Sequence, residues 1–167
     1  MILSYGKLPY RQCVVMVLVK DGKIFTGERL DAPNSWQLPQ GGVEKDETWE
    51  QAAFRELYEE TGVKSAEFIL ETKNTYKYDF PEGVQRKMQL RLGHEPTYRG
   101  QEQKFCVFKF FGSESEINLR IMTQEFENYQ WMPVEKVLNI IVDFKKNTYI
   151  SAFQDLQKEE KFQELFK

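Results

Sequence analysis

The chain has 167 residues, enough for a sizeable core without disulfide bonds, and we expect a single domain over residues 1–167. Its 23 Lys and Arg residues against 26 Asp and Glu residues give a net charge of −3, which excludes a protein that coats DNA through a large positive field but is compatible with a local phosphate pocket. No segment reaches the roughly 20 apolar residues of a membrane span, and the N-terminus shows no leader pattern, so we place the protein in the cytoplasm.

The first predicted elements are two strands joined by a tight turn. Val14–Lys20 is nearly all apolar and β-branched, which predicts a buried strand, and the turn at Asp21 and Gly22 leads into a second strand at Lys23–Arg29. After a loop at Asp31–Ser35, further strand-like runs follow at Trp36–Leu38, Ala66–Tyr76, Lys87–Leu92, Lys104–Gly112 and Tyr129–Met132.

Three segments are predicted to be helices. The strongest pattern covers Asp46–Thr61, where Asp46 or Thr48 is a suitable cap and Gly62 a natural stop. Its inner stripe is predicted to contain Ala52, Ala53, Phe54 and Leu57. Pro133–Ile141 is a second helix, and Thr148–Phe166 a third whose apolar stripe favours packing on the domain's own sheet over a partner protein.

Cysteine and histidine offer little material for a metal site. Cys13 and Cys106 lie inside apolar runs, so we expect both to be buried, reduced thiols. His94 is the only histidine of the sequence and cannot supply a His-rich zinc site. Any metal here should therefore be a hard cation held by carboxylates.

The predicted helix at Asp46–Thr61 carries such carboxylates. Glu56, Glu59 and Glu60 stand at positions i, i+3 and i+4, which places them on one face within about one turn. Like charges this close repel one another, and a divalent cation would offset the repulsion while leaving coordination positions for phosphates. Spacing alone leaves a second interpretation open, a solvated acidic face.

The pattern around this helix resembles the signature of the Nudix hydrolases, the Nudix box, at every fixed position. The matching residues are Gly41, Glu47, Arg55, Glu56, Leu57, Glu59, Glu60, Gly62 and Val63. The resemblance implies an α/β fold: an α/β/α sandwich with a mixed central sheet, in which the box forms a catalytic loop–helix–loop. It also implies hydrolysis of a nucleoside diphosphate linked to another group, with two or three Mg²⁺ or Mn²⁺ ions.

The same resemblance assigns roles within the box. It implies that Glu56, Glu59 and Glu60 hold the metal ions, while Glu47 and Arg55 brace the helix. Gly41 and Gly62 are expected to allow backbone turns that a side chain would obstruct.

The flanking sequence resembles one branch of the family, the bacterial RNA pyrophosphohydrolases and plant-type diadenosine tetraphosphate hydrolases. The shared segments include Tyr10-Arg11, Ser35–Gly42, Tyr78–Pro81, Arg99–Phe105 and Glu116–Leu119. Two further pairings, Glu125 with Phe126 and Phe144 with Lys145, extend the resemblance toward the C-terminus.

This branch resemblance implies a set of substrate contacts, each with a plainer structural alternative. Arg11, Arg29 and Lys145 match residues that bind phosphate in this branch, with a solvated surface position as the alternative for the arginines. The planar guanidinium of Arg suits this role because it can bind a phosphate through two hydrogen bonds. Phe144 matches an aromatic residue that stacks on a base, although a core position is the alternative. The remaining matches are pocket-lining positions, Gln40, Gln103 and Tyr76, for which simple packing is the alternative.

The branch resemblance also implies that Glu125 reaches the carboxylates from a loop, as a metal ligand, as the base, or as both. Further positive charge at Arg86, Lys87 and Lys146 is a candidate RNA-binding surface. The function predicted is removal of pyrophosphate from RNA with a 5′-triphosphate, leaving a 5′-monophosphate. The alternatives are hydrolysis of dinucleoside polyphosphates such as diadenosine tetraphosphate, and a catalytically idle domain that binds nucleotides or RNA. The sequence leaves the oligomeric state open.

Overall fold

An eight-stranded mixed sheet organises the computed structural model, which describes residues 6–94 and 97–167. Residues 1–5, on which the expectation about a leader segment depends, lie outside the described residues. The strands are β1 Tyr10–Lys20, β2 Lys23–Arg29, β3 Trp36–Gln37, β4 Gln40–Gly42, β5 Ala66–Glu71, β6 Tyr76–Asp79, β7 Gly100–Phe110 and β8 Phe126–Met132. The helices are α1 Trp49–Thr61, α2 Glu82–Leu92, α3 Val134–Ile140, α4 Asp143–Leu156 and α5 Glu160–Glu164, with a 3₁₀ turn at Glu114–Glu116.

Strands β1 and β7 form the centre of the sheet and run parallel to each other, while their other neighbours are antiparallel. The predicted apolar run of β1 is buried throughout because both of its faces are covered. Val15 and Val17 face the core that includes Phe153 of α4, whereas Met16 and Leu18 face the core that contains α1. Helices thus cover both faces, which confirms the predicted α/β/α sandwich.

Helix α1 begins and ends where the sequence predicts capping. The Thr48 hydroxyl accepts from the backbone N–H of Gln51, whose side chain accepts from Thr48 in return, so Thr48 is the N-cap. Gly62 adopts the left-handed conformation with φ of 77° and closes the helix. Phe54, predicted on the inner stripe, is instead exposed and contacts Phe108 edge-on with its ring.

The largest error of the sequence prediction is the run Lys87–Leu92, which is part of helix α2 and not a strand. Its alternating polar and apolar residues mimic a strand with one buried face. The structure gives these residues no sheet neighbour, and α2 buries no residue fully, so helical spacing decides the conformation. Half-buried Val84 and Met88 lie four residues apart, on the inner side of the helix.

Two other predicted segments are divided in the structure. The run Ala66–Tyr76 breaks into β5 and β6, which pair with different stretches of β7. The predicted last helix begins earlier, at Asp143, and stops at Leu156, where the chain turns before the short helix α5. Both cysteines are buried and unpaired, as predicted. Within the described part of the chain, no helix has the length and apolar character needed to cross a membrane.

We expect Gly62→Ala to destabilise the fold by about 1–2 kcal/mol, the cost of a left-handed non-glycine residue. A Cβ there would also lie 3.1 Å from the backbone nitrogen of Asn118. The matched control is Gly83→Ala, where a Cβ meets open space within helix α2, and this change should stabilise the protein by up to about 1 kcal/mol. Urea unfolding of both variants checks the difference, and equal effects would contradict the capping role of Gly62.

Candidate active site

A cavity of about 1010 Å³ lies at the N-terminal ends of β1 and β7, beside helix α1. Its charged lining is balanced in number, with five carboxylates and five cations. The carboxylates are Asp31, Glu56, Glu59, Glu60 and Glu125, and the cations are Arg11, Arg29, Lys87, Arg91 and Lys145. The sequence predictions for the metal-binding face and for the phosphate-binding residues therefore converge on one concave surface.

The Arg55 guanidinium fixes the arrangement of the α1 carboxylates. Its Nε and Nη2 donate to the two carboxylate oxygens of Glu47 at 2.7 and 2.8 Å, and Nη2 also donates to the carbonyl of Gly42 at 2.8 Å. Its Nη1 donates to Glu56 at 2.8 Å and to Glu59 at 3.3 Å. Hydrogen bonds to Arg55 lower the pKa of Glu47 to about 2, so this brace stays ionised.

Glu60 is the most deeply placed of the three carboxylates. It is only 7% exposed, and its Oε2 accepts from the backbone N–H of Gln40 at 3.0 Å. Burial raises the pKa of Glu60 well above the ordinary carboxyl value, and the charges of Glu56 and Glu125 add to the effect. Burial also raises the pKa of Glu56. Glu56 is paired with Arg55, whereas Glu60 has no ion-pair partner among the described residues, so its ionised form lacks a compensating cation.

The donor set fits a hard divalent cation, although its final geometry is not preformed. Among residues 6–94 and 97–167, no three acidic, His or Cys side chains converge as a ready metal cluster. The hydrogen bonds from Arg55 explain this, because they hold Glu56 and Glu59 toward the guanidinium. Carboxylate oxygens that share a helix face and include a buried, under-compensated member are nevertheless the ligand type that Mg²⁺ and Mn²⁺ prefer.

Two consecutive glycines of β4 allow charged side chains to lie directly on the backbone. A Cβ on Gly41 would be 1.9 Å from the Glu56 carboxyl carbon, and a Cβ on Gly42 would be 2.3 Å from Nη2 of Arg11. Any larger residue would displace a carboxylate in the first case and a cation in the second. The Gly-Gly pair is therefore what brings the acidic helix and Arg11 to the same cavity.

Lys145 and Arg29 lie in the wall of the cavity near Arg11. Lys145 is buried, donates to the Gln37 amide oxygen at 3.0 Å, and has its pKa lowered to about 8 because burial penalises the charged form. A bound phosphate would restore that charge. Arg29 forms two hydrogen bonds with Asp31, at 2.9 and 2.7 Å.

Aromatic and amide side chains complete the wall, where Tyr78 takes the position predicted for Tyr76. Tyr78 lines the cavity, and its ring centroid is 5.7 Å from that of Phe144. Tyr76 does not line the cavity: its ring lies against Phe105 in the core, and its hydroxyl donates to Asp155. The two tyrosines lie on the same face of β6 two residues apart, so residue type and alternation could not separate them.

The two predicted glutamines have different positions. Gln40 lines the cavity directly. Gln103 is fully buried beside it, where its amide nitrogen donates to the amide oxygens of Gln40 and Gln101 at 3.3 and 3.1 Å. Its amide oxygen accepts from the Thr148 hydroxyl at 3.1 Å. Gln103 thus supports the lining residues and does not face the cavity itself.

Glu125 and Arg91 of α2 both line the cavity and lie close enough for their charges to interact. Lost hydration and the charge of Asp31 raise the pKa of Glu125, while Arg29 and Arg91 act in the opposite direction. Arg91 was missed in the sequence, although its spacing from Val84 and Met88 marks it as part of one helix face. Arg86 and Lys146 do not line the cavity, and Arg86 pairs with Glu82 at 2.8 Å on the exposed side.

Comparison with known proteins gives a consistent result. The sequence model of the NUDIX domain matches residues 9–153. An RNA pyrophosphohydrolase of Roseobacter denitrificans is 42% identical over 88% of this chain and 91% of its own length. Nudix hydrolase 27, chloroplastic, of Arabidopsis thaliana is 45% identical over 84% of this chain and 63% of its own. The E. coli dihydroneopterin triphosphate pyrophosphohydrolase shares the fold, with a TM-score of 0.66 at 17% identity over 87% of this chain and 99% of that one.

We expect Mn²⁺ to raise the unfolding temperature of the wild type by mass action. Glu60→Gln removes one ligand charge, so metal affinity should fall by about tenfold or more. The metal-free variant should be at least as stable as the wild type, because the raised pKa of Glu60 means that its ionised form destabilises the fold above the ordinary carboxyl range.

Thermal unfolding over a metal titration measures this effect. Glu50→Gln on the exposed side of α1 is the matched control and should behave as the wild type. Equal metal-dependent shifts in the wild type and Glu60→Gln would remove Glu60 from the proposed ligands.

Proposed function

The chain belongs to the Nudix family of hydrolases, and on that premise we propose that it is an RNA pyrophosphohydrolase, which removes pyrophosphate from 5′-triphosphorylated RNA and leaves a 5′-monophosphate. The observation that carries the proposal is the cavity itself, which three carboxylates of one helix face line together with Arg11 and Lys145. Such a surface suits a phosphate chain that binds metal ions on one side and cations on the other.

Several relatives support the choice of substrate. Proteins named RNA pyrophosphohydrolase from Roseobacter denitrificans, Pelagibacter ubique and Bartonella clarridgeiae are 42%, 40% and 36% identical to this chain. Each match covers at least 84% of this chain and of the relative. The resemblance thus includes the cavity walls as well as the carboxylate helix.

Glu56, Glu59 and Glu60 are the residues proposed to hold two or three Mg²⁺ or Mn²⁺ ions, with Glu125 completing the set from the opposite side. When bound, these ions polarise the phosphoryl oxygens and offset the charge of the transition state. Glu47 does not belong to this set, because both of its oxygens are occupied by Arg55.

The protein's own residues then position the substrate and move one proton. Arg11 and Lys145 bind the phosphate chain, and Arg29 becomes available when its bond to Asp31 opens. The paired rings of Tyr78 and Phe144 provide a surface for the first base. A water oxygen attacks phosphorus, one of the glutamates accepts its proton, and the bridging P–O bond breaks to release pyrophosphate.

Two other functions remain as outcomes of experiment. A dinucleoside polyphosphate such as diadenosine tetraphosphate presents the same phosphate chain to the same cavity, and this is the second candidate. A domain that binds nucleotides without catalysis is disfavoured, because Glu56, Glu59 and Glu60 are all present and line the cavity together.

We expect Glu59→Gln to lower kcat by at least ~10²-fold while the protein stays folded, because a charge that stabilises the transition state is lost. Glu125→Gln should lower kcat far more than it raises KM. Steady-state hydrolysis of triphosphorylated RNA measures both, with Glu50→Gln as the control on the same helix. Turnover like that of the wild type in Glu59→Gln would remove the carboxylate face from the catalytic site.

Transfer from low to high monovalent salt should weaken RNA turnover more than diadenosine tetraphosphate turnover. RNA carries phosphates beyond the first nucleotide, so more of its contacts are screened. We would measure kcat/KM for both substrates at two salt concentrations with the divalent metal held fixed. A preference for diadenosine tetraphosphate at both concentrations, with RNA cleaved poorly, would replace the main proposal with the second candidate.

A further inference from the structure

Helix α2 lies in the connection between β6 and β7. The two ends of this connection lie side by side, where the backbone N–H of Phe80 donates to the carbonyl of Arg99 at 2.9 Å. The Asp79 carboxylate also joins the two ends, because it accepts from the Arg99 guanidinium at 2.7 Å and from the Tyr10 hydroxyl. The base of α2 is thus fixed to the edge of the sheet.

One face of α2 is turned toward the cavity. Val84, Lys87, Met88 and Arg91 follow one another at intervals of three, one and three residues, and all four line the cavity. Arg86 lies on the opposite face and pairs with Glu82. The inner face, which we call the roof stripe, therefore alternates apolar and cationic side chains.

The position of Arg91 shows how far α2 extends over the cavity. Its charge is close enough to Glu125 to lower the pKa of that carboxyl, and both residues line the cavity. The helix therefore begins at the β6 edge and reaches toward the wall that carries Glu125.

The two cations of the roof stripe are not used by the fold. Within the described residues, neither Lys87 nor Arg91 has a hydrogen-bond or ion-pair partner, unlike Arg29 and Lys145 of the cavity wall. Cations without partners that face a concave polar surface suit phosphate ligands, and the neighbouring Val84 and Met88 suit the apolar faces of sugars and bases.

We propose that the roof stripe binds RNA, with Lys87 and Arg91 contacting phosphates that Arg11 and Lys145 do not reach. This inference rests on the proposed function. In a dinucleoside polyphosphate all phosphates lie in one chain between two nucleosides, and Arg11 and Lys145, the wall cations, are proposed to bind that chain. RNA carries further phosphates after its first nucleoside, so the additional cations of α2 favour RNA over the dinucleotide.

The test measures how kcat/KM for a triphosphorylated RNA depends on monovalent salt, with the divalent metal fixed. Lys87→Ala and Arg91→Ala should each reduce the slope of log kcat/KM against log salt by about 0.7, the value for one lost contact to a single strand. At low salt each should lower kcat/KM for RNA by about tenfold. Turnover of diadenosine tetraphosphate should change by less than about twofold, because the wall cations serve that substrate.

Three controls separate substrate binding from a structural role. Arg86→Ala, on the outer face of the same helix, should leave the slope unchanged. Lys87→Arg and Arg91→Lys should retain the slope, and unfolding in urea should be unaltered in all variants. Unchanged slopes in both alanine variants, or equal losses on both substrates, would overturn the inference while the proposed function stands. A wild type that hydrolyses only the dinucleotide would overturn both.

Discussion

Concentrated negative charge on one turn of helix α1 is the constraint on which the rest of the structure depends. Glu56, Glu59 and Glu60 share one face of the helix and act on one another's charge, so they repel unless a cation intervenes. Arg55 provides part of that compensation and also anchors the helix to β4 through the carbonyl of Gly42. The same guanidinium thus pairs with two of the carboxylates and attaches their helix to the sheet.

The parallel pairing of β1 and β7 arranges the substrate side of the cavity. In this register Arg11 lies beside Gln101, which in turn lies beside Tyr78 on β6. One row deeper, Gln103 stands between Cys13 and Tyr76. The outer row faces the cavity, and the inner row supports it from within the core. A shift of register by two residues would exchange lining residues for supporting residues.

Local patterns predict much of the fold because their physical causes are local. The capping box of α1 and the left-handed Gly62 act within a few residues, and the apolar run of β1 requires burial on both faces. The alternation of polar and apolar residues over Lys87–Leu92 predicts a strand, but these residues belong to helix α2, which buries no residue fully. The spacing of Glu56, Glu59 and Glu60 places them on one face of α1, and the resemblance to the Nudix box identifies them as metal ligands. The exchange of Tyr76 for Tyr78 depends on depth within the sheet, which the alternation along one strand does not reveal.

The balance of charge in the cavity links the two sides of the site. Five carboxylates and five cations formally cancel, so the metal-free cavity offers little net attraction to a polyanion. Each divalent cation bound at the α1 face would add two positive charges to the same surface as Arg11 and Lys145. On the proposed function, neutralisation of the acidic face would create the positive field that a triphosphate end requires. If the α1 carboxylates hold the metal ions as proposed, their mutual repulsion in the empty site makes phosphate binding depend on metal binding.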